Sequence, residues 1–327
     1  MEYISVIGGL ILLVIAGDKL VEGAVAIAER LHISKMIIGI TVVSFGTSAP
    51  ELVVGINAAL SGAAEIALGN VVGSNIANIL LVLGVPALFY PFVCNNSEIK
   101  HSLGYMLLAS ILFIGLAFYG PLHIWQGLLM VSMLLIFLFY SIKRAKSNSA
   151  ILKQDMEFAE RALEDVDTKI EKKLPLPRAI IITVLGLAGL VYGAHILVDG
   201  AVIIARTMGI SEAVIGLTII AIGTSLPELV TSVIAARNNH GDVAMGNIIG
   251  SNLFNILAIM GITSLVAPIS IPDQFFRLDF PIMMASSLIL IPIAMGKMKI
   301  SRPLGLGFCI LYIAYLLFLA QQSNLIG

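Results

Sequence analysis

Charged residues are scarce in this sequence. Asp, Glu, Lys and Arg together make up 12% of the 327 residues, whereas soluble globular proteins carry about a quarter. Because 58% of the residues are hydrophobic and the mean hydropathy is +1.01, the composition excludes a water-soluble globule. It predicts a polytopic membrane protein instead.

Cysteine is nearly absent, and neither sign of charge is in excess. Cys94 and Cys309 lie far apart and fit no metal-binding or redox spacing, so we interpret both as unpaired thiols. The formal net charge of -1 gives no indication of a nucleic-acid partner. The amino terminus lacks the basic start of a secretory signal, so we interpret its first apolar helix as a retained span.

One six-residue stretch occurs twice. Residues 46–51 read Gly-Thr-Ser-Ala-Pro-Glu, and residues 223–228 read Gly-Thr-Ser-Leu-Pro-Glu, 177 positions later. The same offset relates Gly69 to Gly246 without a gap. A fixed offset indicates two copies of one unit. Each copy is centred on a glutamate.

A membrane-spanning helix needs about 20 mostly apolar residues. On that length we predict an all-α membrane protein with ten transmembrane helices, near 3–28, 36–60, 65–88, 102–119, 122–142, 178–205, 212–236, 242–267, 278–296 and 303–321. Each repeat then holds five spans, an odd number, so the second copy enters the membrane from the opposite side. Inverted-topology repeats of this kind place the substrate site between the halves, near the midplane.

The basic residues predict the orientation in the membrane. If the amino terminus lies outside, most Lys and Arg residues fall in inside connections, and Arg206 and Arg277 are the exceptions. We therefore expect both termini to be extracytoplasmic, in a multi-pass protein of the plasma (inner) membrane.

The long polar stretch 143–177 divides the chain into a first repeat, 1–142, a cytoplasmic linker, and a second repeat, 178–327. Apolar residues recur in the linker at spacings of three and four, from Leu152 to Ile170, which predicts one amphipathic helix. The prolines at 175 and 177 would stop it. A regulatory calcium sensor is the alternative, although the acids lack calcium-loop spacing.

The repeated glutamates, Glu51 and Glu228, are predicted to meet inside the membrane. A carboxylate at the bilayer centre costs about 2.5 to 3.5 kcal/mol on insertion scales. Two facing acids therefore require a proton or a bound cation. The alternative is that each acid is satisfied by a separate internal hydrogen bond.

A proline stands one residue before each glutamate. Pro50 has no amide proton, and its ring displaces the carbonyl of Gly46, so the second span is predicted to break there, and the seventh likewise. The freed carbonyls, the carboxylates and the nearby hydroxyls form a set of hard oxygen ligands that suits calcium or sodium. The hydroxyls belong to Thr47, Ser48, Thr224 and Ser225.

The following span of each repeat carries a polar stripe. Its residues are spaced by four and so lie on one helix face: Asn70, Ser74 and Asn78, and then Asn247, Ser251 and Asn255. We interpret the two amides at 78 and 255 as ligands or near-ligands, with interhelical hydrogen bonding as the alternative. The glycines at 69, 73, 246 and 250 are interpreted as sites of close helix packing.

Other polar residues lie toward one end of the first and sixth spans. They are Asp18, Lys19, Glu22, His195 and Asp199. Snorkelling or local ion pairing accounts for them most simply. A proton relay is the alternative.

The two segments 39–51 and 216–228, each followed by a Gly-Asn-x-x-Gly-Ser-Asn-x-x-Asn stretch, resemble the alpha-repeats of the calcium/cation antiporter superfamily. The similarity is greatest to prokaryotic sodium/calcium exchangers. It implies that Glu51 and Glu228 bind calcium together with the carbonyls of Thr47 and Thr224. It places sodium ligands at the same glutamates and at the remaining positions of the set, namely Ser44, Ser48, Ser74, Ala221, Ser225 and Ser251.

Two positions depart from the family pattern. Well-known exchangers have aspartate where this chain has Asn255, and alanine where it has Ser44. These departures leave sodium stoichiometry, potassium requirement and proton coupling open.

The expected function is antiport of calcium against sodium by alternating access, with no cofactor and no catalytic residue. Calcium and sodium would be the substrates, and the protein would lie in a lipid bilayer. The sequence leaves the oligomeric state open. Calcium/proton or potassium-dependent exchange on the same fold is the nearest alternative. A channel and an intramembrane hydrolase are more distant alternatives.

Overall fold

The structure, a computed structural model, describes residues 2–93, 98–162, 174–209, 221–296 and 298–322. These residues form helices joined by short connections. Two isolated antiparallel bridges, Phe92 with Ile300 and Leu122 with Ile269, tie connections together.

Twelve helical segments follow one another along the chain. They are α1 (Glu2–Leu31), α2 (Lys35–Thr47), α3 (Ala49–Leu60), α4 (Ala64–Phe89), α5 (Glu98–Phe118), α6 (Ile124–Ala162), α7 (Leu176–Thr207), α8 (Ala221–Thr224), α9 (Leu226–Arg237), α10 (Gly241–Val266), α11 (Phe275–Ala294) and α12 (Arg302–Gln322). The order from α1 to α6 recurs from α7 to α12, in agreement with the repeat in the sequence.

The predicted all-α membrane class is confirmed. Within the described ranges, eight helices are long and apolar enough to cross a bilayer, and the bent pair α2–α3 makes nine if it counts as one span. The predicted seventh span, 212–236, falls partly on residues 210–220, which lie outside the described residues; α8 and α9 form its remainder. The count of ten therefore stays a prediction.

The linker does not begin with a helix of its own. Helix α6 continues from the fifth predicted span to Ala162 without interruption, so no helix end marks the predicted boundary at residue 142. The rest of the predicted amphipathic helix, 163–170, lies outside the described residues. Helix α7 begins at Leu176, with Pro177 in its first turn, where proline fits because no amide partner is required.

Helices α4 and α10 form the centre of the molecule. They are the most buried of the spans, and they carry the polar stripes of the two repeats. Glycine allows α10 to lie directly against α2: a Cβ added to Gly246 would lie 2.5 Å from the carbonyl oxygen of Met36. The packing role predicted for the glycines at 246 and 250 is therefore confirmed. A Cβ at Gly69 or Gly73 would meet nothing within 4 Å among the described residues.

Helices α1 and α7 pack against each other along their length. Glycines again permit the approach, since a Cβ at Gly186 would lie 2.7 Å from the amide nitrogen of Leu20. The polar residues of this pair form ion pairs, as predicted: Lys19 with Glu22 at 2.7 Å and His195 with Asp199 at 3.3 Å. Asp18 reaches another helix and pairs with Arg237 of α9 at 3.1 Å.

Of the two cysteines, Cys309 is a free thiol in α12. Cys94 lies outside the described residues.

A histidine connects the starts of α2 and α10. Lys35 Nζ lies 3.5 Å from His240 Nδ1, and it also pairs with Glu29 at 3.4 Å. Burial and the positive charge of Lys35 lower the pKa of His240, and the acids Glu29 and Asp242 oppose this only in part. The folded protein therefore favours the neutral imidazole.

This contact predicts an acid-sensitive contribution to stability. As pH falls below about 6.5, the ordinary histidine value, the unfolded chain takes up the proton before the folded chain does, so the free energy of unfolding should decrease. The variant His240→Gln should lose this part of the pH dependence. Melting temperatures of both proteins at pH 7.5 and 5.5 would measure it, with exposed His101→Gln as the control. Equal pH dependence in wild type and His240→Gln would contradict the prediction.

Candidate cation site

The two repeated motifs both interrupt a helix. Helices α2 and α3 meet at an angle of 44° around Ser48, whose backbone lies at φ -84° and ψ 6°. Ser225 has nearly the same conformation, φ -89° and ψ 5°, between α8 and α9. In each case the next helix has a proline in its first turn, and proline has no amide hydrogen. The carbonyl four residues earlier therefore loses its usual hydrogen-bond donor. Each interruption therefore lies within three residues of its glutamate in the sequence.

Glu51 and Glu228 occupy the first turns of α3 and α9. Each is only 1% exposed. The hydroxyl of Ser48 in the first repeat donates to Glu228 Oε1 in the second repeat at 3.1 Å. Ser251 Oγ lies 3.5 Å from the same oxygen. The two broken helices therefore meet at one point.

Several oxygens of the predicted ligand residues are buried and have no hydrogen-bond partner among the described residues. They are both carboxylate oxygens of Glu51, Oε2 of Glu228, Oδ1 of Asn78, Oδ1 of Asn255 and Oγ of Ser225. An unpaired buried carboxylate is costly, and so is an unpaired amide oxygen. A cation among these atoms would satisfy them together, and a set of only oxygens fits calcium or sodium. No group of three or more His, Cys, Asp or Glu side chains with metal-binding geometry occurs in the described part of the chain.

The amides of Asn78 and Asn255 are bonded at their nitrogen ends. Asn78 Nδ2 donates to Asn252 Oδ1 at 3.0 Å, and Asn255 Nδ2 donates to Asn75 Oδ1 at 3.1 Å. Both interpretations of these residues therefore have support: interhelical bonding at the nitrogen and an available oxygen at the other end. Asn75 and Asn252 were absent from the predicted site. The signal for them was their own recurrence at the 177-residue offset.

A third amide, Asn247, joins the second span to the second repeat. Thr47 Oγ1 donates to Asn247 Oδ1 at 3.2 Å, and Asn247 Nδ2 lies 3.3 Å from Ser232 Oγ and 3.4 Å from the carbonyl oxygen of Glu228. The side chain of Ser44 donates to the carbonyl oxygen of Ile40. These hydroxyls serve helix contacts, which leaves the backbone carbonyls as the predicted ligand atoms at Ser44 and Thr47.

The remaining predicted site residues are Ser74, Thr224 and Ala221. Ser74, on α4, is buried; Thr224 is half-buried at the end of α8; and Ala221 is the first residue of that short helix. Their ligand roles stay predictions.

Asp279 is a buried acid outside the predicted site. Asp279 lies in α11, is 4% exposed, and accepts a hydrogen bond from the hydroxyl of Tyr315 at 2.9 Å. It lines a cavity of about 320 Å³ that also reaches Asn70 and Ser74. The sequence offered no signal for it, since its counterpart in the first repeat is Ser102.

Comparison with known proteins gives consistent matches over nearly the whole chain. A family described as "Sodium/calcium exchanger protein" matches residues 1–143 and 178–321. The sodium/calcium exchanger MaX1 of Methanosarcina acetivorans is 33% identical over 98% of both chains. The inner membrane protein YrbG of Escherichia coli is 36% identical over 86% of this chain and 85% of that protein.

Solved structures match as well. The structure of the sodium-calcium exchanger NCX_Mj, from crystals soaked with sodium and calcium, has a TM-score of 0.79 and 31% sequence identity, covering 96% of both chains. The match extends the likeness from the sequence motifs to the arrangement of the helices.

Proposed function

Because this chain belongs to the sodium/calcium exchanger protein family, we propose that it is a secondary active antiporter that exchanges calcium for sodium across a membrane. The observation that carries the proposal is the pair Glu51 and Glu228. Both carboxyl groups are buried at helix interruptions of opposite repeats, and three of their four oxygens lack a hydrogen-bond partner among the described residues.

The proposed calcium site combines these two carboxylates with neutral oxygens. Two ionised glutamates balance the charge of one calcium ion, so the loaded site has no net charge, which reduces the cost of burial in the bilayer. The carbonyls of Thr47 and Thr224 and the amide oxygens of Asn78 and Asn255 complete the set. Calcium accepts six to eight such ligands in flexible geometry.

Sodium would compete for overlapping oxygens. The proposed sodium ligands are the glutamates, the carbonyls of Ser44 and Ala221, and the hydroxyls of Ser48, Ser74, Ser225 and Ser251. Because both ions need the same carboxylates, binding of one excludes the other. Because of this exclusion, the protein would carry calcium and sodium in opposite directions and not together in one direction.

Access to the site would alternate between the two sides. Helices α1 and α7 pack closely on each other, and beyond that contact they touch mainly the broken helices that carry the glutamates. We propose that this pair moves against the rest, opening one side at a time, as in other inverted-repeat transporters. The predicted orientation, with both termini extracytoplasmic in the plasma membrane, is part of the same proposal.

Transport by purified protein in vesicles tests this function. Vesicles loaded with sodium and diluted into sodium-free medium should take up calcium, and equal sodium on both sides should abolish the uptake. If uptake requires a pH gradient and ignores sodium, the protein is a calcium/proton exchanger. If it requires potassium together with sodium, the potassium-dependent alternative holds. Single-channel currents without gradient coupling would contradict antiport altogether.

A further inference from the structure

Four asparagines lie at the interface between the repeats, beside the cation site. Asn75, Asn78, Asn252 and Asn255 are each 1% exposed. Asn78 donates to Asn252 at 3.0 Å, and Asn255 donates to Asn75 at 3.1 Å. The 177-residue offset relates the two bonds, since it pairs Asn78 with Asn255 and Asn75 with Asn252. They form a pseudo-symmetric pair of hydrogen bonds, one in each direction across the interface.

An amide side chain has a donor end and an acceptor end, so a partner for one end fixes the direction of the other. In both bonds the NH₂ group of the predicted ligand is held by the carbonyl oxygen of the neighbouring asparagine. The oxygens of Asn78 and Asn255 then point away from these bonds, and they are buried without a partner among the described residues. A cation ligand needs this orientation, because a rotated amide would present its NH₂ group to the ion.

We propose that Asn75 and Asn252 are positioning residues for the cation site. They do not touch the ion; they hold Asn255 and Asn78 with their carbonyl oxygens turned toward it. The proposal rests on the proposed function in one respect, namely that the site binds a cation. In metal sites generally, mutation of a partner that orients a ligand costs about 10- to 100-fold in affinity.

The two positioning residues are not equally fixed. Asn252 Nδ2 donates to the backbone carbonyl oxygen of Asn75 at 3.4 Å, so both of its ends are bonded. Among the described residues, Asn75 Nδ2 has only the sulfur of Met283 as a partner, at 3.8 Å, and a thioether is a weak acceptor. Asn75 is therefore held mainly by Asn255, and substitution of Asn75 removes one orienting bond with the least disturbance elsewhere.

The test compares Asn75→Leu with Asn75→Asp in the full chain. Leucine has a similar volume and no acceptor, so the KM for calcium should rise about 10-fold or more, with little change in the maximal rate. Aspartate keeps an oxygen acceptor in either protonation state and should restore most of the affinity. Ser110→Ala is the control, because Ser110 is buried and bonds only to the carbonyl oxygen of Met106 in its own helix.

Calcium-induced and sodium-induced thermal stabilisation in detergent provides a second readout that does not require transport. Unchanged calcium affinity in Asn75→Leu would overturn the positioning role, and so would a loss in Asn75→Asp equal to that in Asn75→Leu. Asn75→Ala replaces the leucine variant if that protein does not fold. A wild type that is stabilised by calcium but shows no sodium-driven uptake contradicts the proposed function alone; a wild type that neither ion stabilises overturns both.

Discussion

Replacing Glu51 by glutamine is expected to reduce sodium-driven calcium uptake by about 100-fold or more. The substitution keeps the side-chain shape but leaves a calcium ion with one carboxylate in place of two. Removing one partner of a buried charge pair typically costs about 3 to 5 kcal/mol, and each 1.4 kcal/mol is about a tenfold change in binding. The measurement is initial calcium uptake into vesicles as a function of calcium concentration.

Glu228→Gln should show a comparable loss, because the two acids are related by the repeat and share one ion in the proposed site. Glu65→Gln is the matched control, since Glu65 also lies in the first turn of a helix, α4, but is exposed. Uptake by Glu51→Gln close to that of wild type would contradict a shared site. A large loss in only one of the two variants would show that one acid alone binds the ion.

The substitution Gly250→Ala is expected to disrupt the contact between α10 and α2. A Cβ at this position would lie 2.5 Å from the carbonyl oxygen of Ile40 and 2.7 Å from its Cα, both rigid backbone atoms. Overpacking of this kind costs about 1 to 3 kcal/mol. It would also displace the segment that carries Ser44, Thr47 and Ser48, so calcium uptake should fall along with the melting temperature.

Gly104→Ala is the control for this effect. Gly104 lies within α5, and a Cβ there meets nothing within 4 Å among the described residues. Alanine favours a helix more than glycine does, so this variant should keep its stability and its transport. Equal melting temperatures for the variants at 250 and 104 would show that α10 and α2 do not need their close approach.

The bend between α2 and α3 and the two buried glutamates could be predicted because their signals are local. Proline cannot donate the backbone hydrogen bond, so Pro50 and Pro227 predict an interruption in any surroundings. A glutamate within an apolar stretch indicates a functional site, and its repetition at a fixed offset strengthens that interpretation. The class of fold followed from composition and span length alone.

Features that depend on packing between distant segments could not be predicted. Asn75 and Asn252 recur at the 177-residue offset, but this recurrence does not show which side chains they bond, because that depends on which helix faces which. Asp279 has no acidic counterpart in the first repeat, so the internal comparison missed it. The continuation of α6 to Ala162 could not be predicted either, because a change from apolar to polar composition does not by itself end a helix.

The most direct test of the shared site is the position of a bound ion. Crystals of this protein soaked with strontium, a divalent calcium substitute, should show one anomalous peak between Glu51 and Glu228. Carboxylate oxygens from both repeats should then lie at or slightly beyond the calcium distance of about 2.3 to 2.6 Å. A peak bound to only one of these glutamates, or located at Asp279 with none between them, would contradict the account.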